Sequence, residues 1–396
     1  MAPESIYLDH AATTPADPRA VEAMLPYFTE KFGNPSSIYR LGRASLDALD
    51  EARETVAAII GARRKEIVFT SGGSEADNLA IKGVAFAQRE AGRGDHIITS
   101  AIEHHAVLHA VEYLEHFGFA VTVLPVDGEG IVSVDDLRAA IRPETTLVSI
   151  MAANNEIGTI QPIAELGAAC RERDVLFHTD AVQMVGALPV NVKELNVDLL
   201  SLTAHKFYGP KGVGALYMRR GVPLLPQING GSQERRLRAG TENVAGIVGL
   251  ATALRIAAEG IATSSAHCTM LRDRLIDGVM ARIDHVHLNG HRSLRLPNNV
   301  NLSFDFIEGE SMLLLLDQQG IYASSGSACT SGSLDPSHVL MALGISAERA
   351  HGSLRLTVGR DNTVAQIDRV LELLPPIVER LRSVSPMYKQ HVQEAV

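Results

Sequence analysis

Only three cysteines occur in this chain, Cys170, Cys268 and Cys329, far apart and odd in number. That excludes a disulfide framework and points to a reducing compartment, so any sulfur chemistry must use single thiols. No run of lysine or arginine is long enough to track a phosphate backbone, and the formal net charge is -10. Nucleic acid and anionic membrane surfaces are therefore excluded as expected partners. Residues 1–9 hold neither a basic start nor an apolar core, and the longest apolar run noted, residues 312–316, is too short to cross a bilayer. The expectation is a cytoplasmic protein without a membrane segment. Internal repeats and low-complexity tracts are also lacking, apart from the small-residue stretch 324–337.

What is present is enough chain for two hydrophobic cores. At 396 residues two domains are the first expectation. From about residue 53 to residue 216, helix-period segments alternate with short buried-strand patterns such as Glu-Ile-Val-Phe-Thr, His-Ile-Ile-Thr-Ser, Leu-Val-Ser-Ile-Met and Val-Leu-Phe-His-Thr. This reads as a mostly parallel α/β sheet covered by helices, three of which fall at 50–60, 135–141 and 163–173. A long helical stretch over about 244–282 leads to strands at 285–288 and 300–304 and helices near Ser311 and Val364, a smaller α+β domain. The division is a large domain over 15–260 and a small one made of 1–14 with 261–396.

Several strand ends carry polar residues suited to holding a ligand, since ligands of open α/β sheets bind at the carboxyl edge. The strand near Leu199 ends in Thr203, His205 and Lys206 before breaking at Gly209-Pro210. A lysine there either condenses with a carbonyl, its pKa lowered by a dry site, or snorkels to solvent. Asp180 and Gln183 end another strand; Asp180 suits a protonated pyridine nitrogen, or else a helix cap or buried ion pair. In Thr-Ser-Gly-Gly-Ser-Glu-Ala-Asp-Asn, Gly73 and Ser74 open a helix where a phosphate would meet free amides, unless this is an ordinary capped turn. His104 follows a further strand and could stack on a ring and relay protons; the competing reading is zinc on His105 and His109, four apart on one helix. Asn155 offers a contact to ring or substrate, or forms a turn. Residues 324–337 bury little and read as a surface loop, in which the Cys329 thiol is accessible as a nucleophile, whereas Cys170 and Cys268 fit apolar surroundings. Arg355 offers a guanidinium fork to a carboxylate, or a surface ion pair.

Five blocks in this order, Ser-Gly-Gly-Ser-Glu-Ala-Asp-Asn-Leu-Ala, His-Thr-Asp-Ala-Val-Gln, the Lys206 segment, Arg238-Ala-Gly-Thr-Glu-Asn and Ser324-Ser-Gly-Ser-Ala-Cys-Thr-Ser-Gly-Ser, resemble the NifS/IscS cysteine desulfurases over residues 7–387. The resemblance implies the fold type I architecture of pyridoxal 5'-phosphate (PLP) enzymes, similar to aspartate aminotransferase, with a seven-stranded, mostly parallel sheet. It implies a homodimer that converts L-cysteine to L-alanine and leaves a persulfide on Cys329, for iron-sulfur cluster assembly and other sulfur acceptors, nitrogenase maturation being an open destination. By matching motif, Lys206 is the Schiff-base lysine, His104 the stacking histidine, and Asp180 and Gln183 the ring contacts. Gly73, Ser74, Thr203 and His205 form the phosphate cradle, Asn155 contacts ring oxygen or substrate, Arg355 holds the substrate carboxylate, and Thr241 reaches the phosphate across the dimer interface. Cys329 would also be a transient ligand of a [2Fe-2S] cluster shared with a scaffold protein. Selenocysteine lyase or aminotransferase chemistry on the same fold, and a non-catalytic sulfur or iron-sulfur scaffold, are the alternatives.

Overall fold

In the computed structural model, residues 5–325 and 335–394 are described. A short strand β1 (Ile6–Tyr7) opens the chain, and seven strands then form the main sheet: β2 (Ile67–Thr70), β3 (His96–Ser100), β4 (Ala120–Leu124), β5 (Thr145–Ser149), β6 (Leu176–Asp180), β7 (Leu199–Thr203) and β8 (Gly214–Met218). Their spatial order is β2-β8-β7-β6-β5-β3-β4. Only β8 runs antiparallel to its neighbours, so the expected seven-stranded, mostly parallel sheet is what forms. Strands β3, β5 and β7 are buried along their whole length because helices cover both faces. Edge strand β4 is largely half-exposed.

Polar side chains in these buried strands pair within the sheet. His96 bonds Thr145 and Thr122 at 2.7 and 2.8 Å, and His178 bonds Ser149 and Ser201 at 2.8 and 3.0 Å. Burial holds both imidazoles neutral, His96 down at about 4 and His178 at about 3.

The later strands β9 (Val286–Leu288), β10 (Asn299–Phe304) and β12 (Ser353–Thr357) make an antiparallel sheet in the order β12-β10-β9, while β11 (Ile321–Tyr322) pairs with β1 in parallel. The N-terminal residues therefore pack with the C-terminal part: Ile6 and Leu8 share a core with Leu271, Val300, Leu356 and Val370. A 37-residue helix, Val244–Met280, runs between the two regions. Its first turns bury Ile247, Leu250 and Leu254 in the core of the large sheet, and its last turns bury Leu271, Leu275 and Val279 in the other.

Three sequence expectations need correction. The helix expected at 50–60 begins ten residues earlier, at Arg40, because Gly42 and Ser45 are buried against the loop at residues 31–37. The strand read as Leu-Val-Ser-Ile-Met ends at Ser149, although the Ile150 and Ala152 amides still donate to the carbonyls of His178 and Asp180 in β6. Residues 312–316 are not the longest apolar stretch: Val244–Met280 is long and apolar enough to cross a membrane by length and composition. Its alanines and glycines instead serve close packing against the helices Pro18–Met24, Arg40–Ile59 and Val364–Val384.

Candidate active site

The carboxyl ends of β3, β5, β6 and β7 and the start of helix Gly73–Glu90 open on one cavity of about 400 Å³. Its lining includes Gly73, Ser74, His104, Asn155, Asp180, Gln183, Thr203, His205, Lys206 and Arg355, which is every predicted site residue except Thr241 and Cys329. Thr241 is exposed on the approach to helix Val244–Met280, away from this cavity, and Cys329 lies outside the described residues.

Each side chain is positioned by local structure. Strand β7 runs into a 3-10 turn, Ala204–Lys206, which turns Lys206 back over the sheet edge. Its ammonium donates to the carbonyls of Ala11 and Ala12, a contact from the N-terminal segment that no sequence pattern announced. Asp180 ends β6, and its Oδ1 accepts the Val182 amide at 2.9 Å. No helix follows, so this bond belongs to a turn and not to a helix cap, and Asp180 lines the cavity. At Gly73 a Cβ would stand 2.8 Å from Val182 Cγ2, so a side chain there would require Val182 to shift. That bare backbone, the free amides of the 18-residue helix and its dipole form a cradle for an anion. Thr203 and His205 stand across from it in the same cavity, His205 held at 3.2 Å from the Thr13 hydroxyl.

Neighbours bear on three of the open choices. Asn154, not Asn155, shapes the turn, accepting the Glu156 and Ile157 amides at 2.8 and 3.0 Å. Asn155 lines the cavity and its carbonyl accepts from Arg355 at 3.0 Å. Arg355 is not on the surface: it is 2% exposed, bonded to Asp9 at 2.8 Å, and its Nε is buried without a partner beside the cavity. The ring of His105 lies 5.0 Å from that of His109 and 4.8 Å from that of His338, and no set of three or more metal-binding side chains forms among the described residues. Asp77 and Glu103 also line the cavity and had been given no role. The available signal was Asp77's position one turn after Gly73, which puts it on the same helix face.

Residues 6–370 match the family Aminotransferase class-V. "Cysteine desulfurase IscS" of Methanosarcina thermophila is 59% identical over 384 residues, covering 97% of this chain and 94% of that protein. This chain belongs to the cysteine desulfurases of the aminotransferase class-V family. "Cysteine desulfurase IscS" of Clostridium botulinum strain Hall is 55% identical over 392 residues, 98% of each chain. A solved structure titled "NIFS-LIKE PROTEIN" is 40% identical with a TM-score of 0.89, covering 96% of this chain and 100% of that one.

The desulfurase cavity is electrostatically divided. On one wall His104 caps helix His105–Glu115, its Nδ1 accepting the Ala106 amide at 3.1 Å, which leaves the proton on Nε2. Burial, then the charges of Lys206, His105 and His109, hold this imidazole down at about 4, so at neutral pH it is an uncharged ring. Its ring signals in the cofactor-free protein are expected to stay fixed between about pH 8 and 6, where an ordinary imidazole titrates. An NMR titration with a midpoint near 6.5 would contradict this geometry. On the floor, burial raises Asp180 to about 6 against the opposing effects of the Val182 amide and Lys206. A cation beside it would restore its charge.

Proposed function

We propose that this desulfurase holds PLP on Lys206 and takes sulfur from L-cysteine as a persulfide on Cys329, leaving L-alanine. The observation that carries the reading is the meeting of Lys206, Asp180, the anion cradle at Gly73 and the partnerless Nε of Arg355 in one cavity. These residues fit PLP in kind: an amine for its aldehyde, an acid for its ring nitrogen, and amides and hydroxyls for its phosphate. When bound, the cofactor supplies an electron sink joined to the substrate α-carbon.

The protein's own part follows from chemistry at named atoms. Gly73, Ser74, Thr203 and His205 hold the phosphate, Asp180 keeps the ring nitrogen protonated, and Gln183 and Asn155 hold the ring oxygen. Neutral His104 lies against the ring face. Arg355 receives the substrate carboxylate, and the amine of Lys206 or the His104 imidazole moves the α-proton. The Cys329 thiolate attacks the substrate sulfur, so that the new S–S bond keeps the sulfur while the C–S electron pair leaves with the β-carbon, which takes up a proton to become the methyl of alanine.

Homodimerisation belongs to this proposal, with Thr241 reaching the phosphate of the other subunit. Supporting it, Leu25, Phe28, Phe32, Ile38 and Tyr39 are exposed apolar side chains. A groove joins Pro35, Ser36 and Leu46 to Ser232 and Glu242, beside Thr241. Such a patch is more than a lone soluble chain usually leaves to water. A large domain over 15–260, a small one of 1–14 with 261–396, cytoplasmic location, a scaffold or other sulfur acceptor, and a transient [2Fe-2S] cluster held through Cys329 complete the proposal.

The test is incubation of purified protein with L-cysteine while alanine, sulfide and the visible cofactor band are followed together. A yellow protein releasing alanine and, with a thiol reductant, matching sulfide supports the reading; a colourless protein releasing neither overturns it. Arg355→Lys keeps the charge but loses the fork. It is expected to raise KM for L-cysteine about 10- to 100-fold, as hydrogen bonds to charged groups are worth about 1.5–3 kcal/mol, with a smaller change in kcat. Steady-state kinetics with thermal unfolding as a control for the Asp9 pair check this; an unchanged KM would remove the carboxylate role.

A further inference from the structure

Three carboxyl groups, Asp77, Glu103 and Asp180, line the floor of one cavity, and among the described residues no arginine or lysine pairs with the first two. Asp77 is 1% exposed and Glu103 fully buried. Each has one buried oxygen without a hydrogen-bond partner, Oδ1 of Asp77 and Oε2 of Glu103. The other Glu103 oxygen accepts from the Ser100 hydroxyl at 2.5 Å and the Met151 amide at 2.9 Å. Oδ1 of Asp77 stands 3.7 Å from Nε2 of His178, an imidazole already bonded to Ser149 and Ser201. A fully buried carboxylate with an unpartnered oxygen and no cation costs far more than the neutral acid.

We propose that Asp77 and Glu103 are positioning residues for Asp180: held as neutral carboxylic acids, they leave Asp180 as the one carboxylate on the floor facing the ring nitrogen. The proposal rests on the PLP reading of the cavity. A ring N–H carries one positive charge, and one carboxylate balances it; two further carboxylates would have no cation to balance them and would repel Asp180 and each other, a cost that protonation removes.

The surroundings agree. The groups facing the two acids are Asp180 and His178 from β6, Ser201 from β7, Ser100 from β3 and each other, with Lys206 acting on Asp180. Burial pushes Glu103 up to about 8 despite the bonds from Ser100 and Met151, and Asp180 pushes the same way. Burial, then Asp180, raises Asp77 well above the usual carboxylate range, Ser201 opposing and Glu103 adding. His178 offers no cation, being neutral.

The experiment uses the holoenzyme and the isosteric variants Glu103→Gln and Asp77→Asn. Infrared difference spectra near neutral pH, wild type minus each variant, should show the carbonyl stretch of a protonated carboxyl; Glu156, itself raised to about 7, cancels in the difference. The pH midpoint of the visible band should stay within about half a unit in both variants, where loss of a true carboxylate beside the ring would lower it by about a unit or more. Stability separates charge from packing. An acid whose folded pKa is raised stabilises the fold below its unfolded value and loses that contribution as pH rises towards the folded one. The folding constant of Glu103→Gln relative to wild type should therefore grow by up to about tenfold per pH unit between about 4.3 and 8. A merely structural side chain would give a flat difference.

Missing carboxyl bands in a yellow wild-type protein, or a band midpoint displaced by a unit in a variant, would overturn this proposal alone. A colourless wild type would overturn the PLP reading and this proposal with it. Should a variant fail to fold, the wild-type spectrum in H2O and D2O still decides: with no exchange-sensitive protonated-carboxyl band near neutral pH, the proposal falls.

Discussion

Lys206→Ala is expected to abolish the visible cofactor band and to lower alanine release from L-cysteine by about 10³-fold or more, the scale on which removal of a positioned acid-base group is felt. Here one side chain has two duties, covalent attachment and proton movement at the substrate α-carbon. No neighbour can replace it: the other polar groups of the cavity are carboxyls, amides, hydroxyls, imidazoles and the Arg355 guanidinium, and among the described residues Lys206 is the one lysine in its lining. The substitution should spare the fold, because Lys206 is only partly buried and the Ala11 carbonyl it leaves still accepts from Gln183. Far-UV circular dichroism should match wild type. Borohydride reduction followed by mass analysis gives a second readout: wild type should gain the mass of the cofactor on the peptide holding Lys206, and the variant should gain none. A variant that remains yellow and keeps a tenth of wild-type turnover would end the Schiff-base assignment.

Cys329→Ala is expected to reduce alanine release at least about 10²-fold, as a lost nucleophile does, while the visible band and its response to added L-cysteine persist. The two substitutions thus fail at different stages. Cys170 is fully buried and its thiol is pushed far above the usual range by burial and Asp198; Cys268, 6% exposed, is raised to about 11 by burial and Asp361. Neither presents a thiolate at neutral pH. Both ends of the segment bearing Cys329 are fastened at the cavity. Ser324 exchanges backbone hydrogen bonds with Arg355 at 3.2 and 2.7 Å, and the Ser337 hydroxyl donates to Glu156 at 2.5 Å. Arg355 and Glu156 both line the cavity. Cys329 is five residues past Ser324, and five residues span up to about 17 Å, so the covalent chain has the length to bring the thiol to the substrate. Persulfide on the Cys329 peptide, measured by alkylation and mass spectrometry after one turnover, should be absent in the variant. Undiminished alanine release would sink the nucleophile role.

These expectations drew unequally on sequence and on structure. The sheet was legible because its strands, buried on both faces, must be apolar almost throughout, as in β3, β5 and β7. Lys206, Asp180, Gly73 and His104 were legible because each ends or closely follows a strand or opens a helix, and the carboxyl edge of such a sheet is where ligands bind. Helix Arg40–Ile59 was read short because its first turns are polar and packed against a loop, a contact without periodicity. The apolar length of Val244–Met280 was missed for a related reason: alanine and glycine spread along a helix make no continuous run of large side chains.

By itself the sequence determined the chemical inventory: an amine, an acid and a glycine turn on neighbouring strand ends, and a third cysteine among small residues unlike the other two. Only tertiary structure decided what surrounds that inventory. It brought residues 11 and 12 onto Lys206, Asp9 onto Arg355, and Asp77 and Glu103 beside Asp180. These partners lie far apart along the chain, and their energetics depend on burial, which no local pattern encodes. Lys206 as a reactive amine could be inferred from its place at a strand end; the number of charges it shares the cavity with could not.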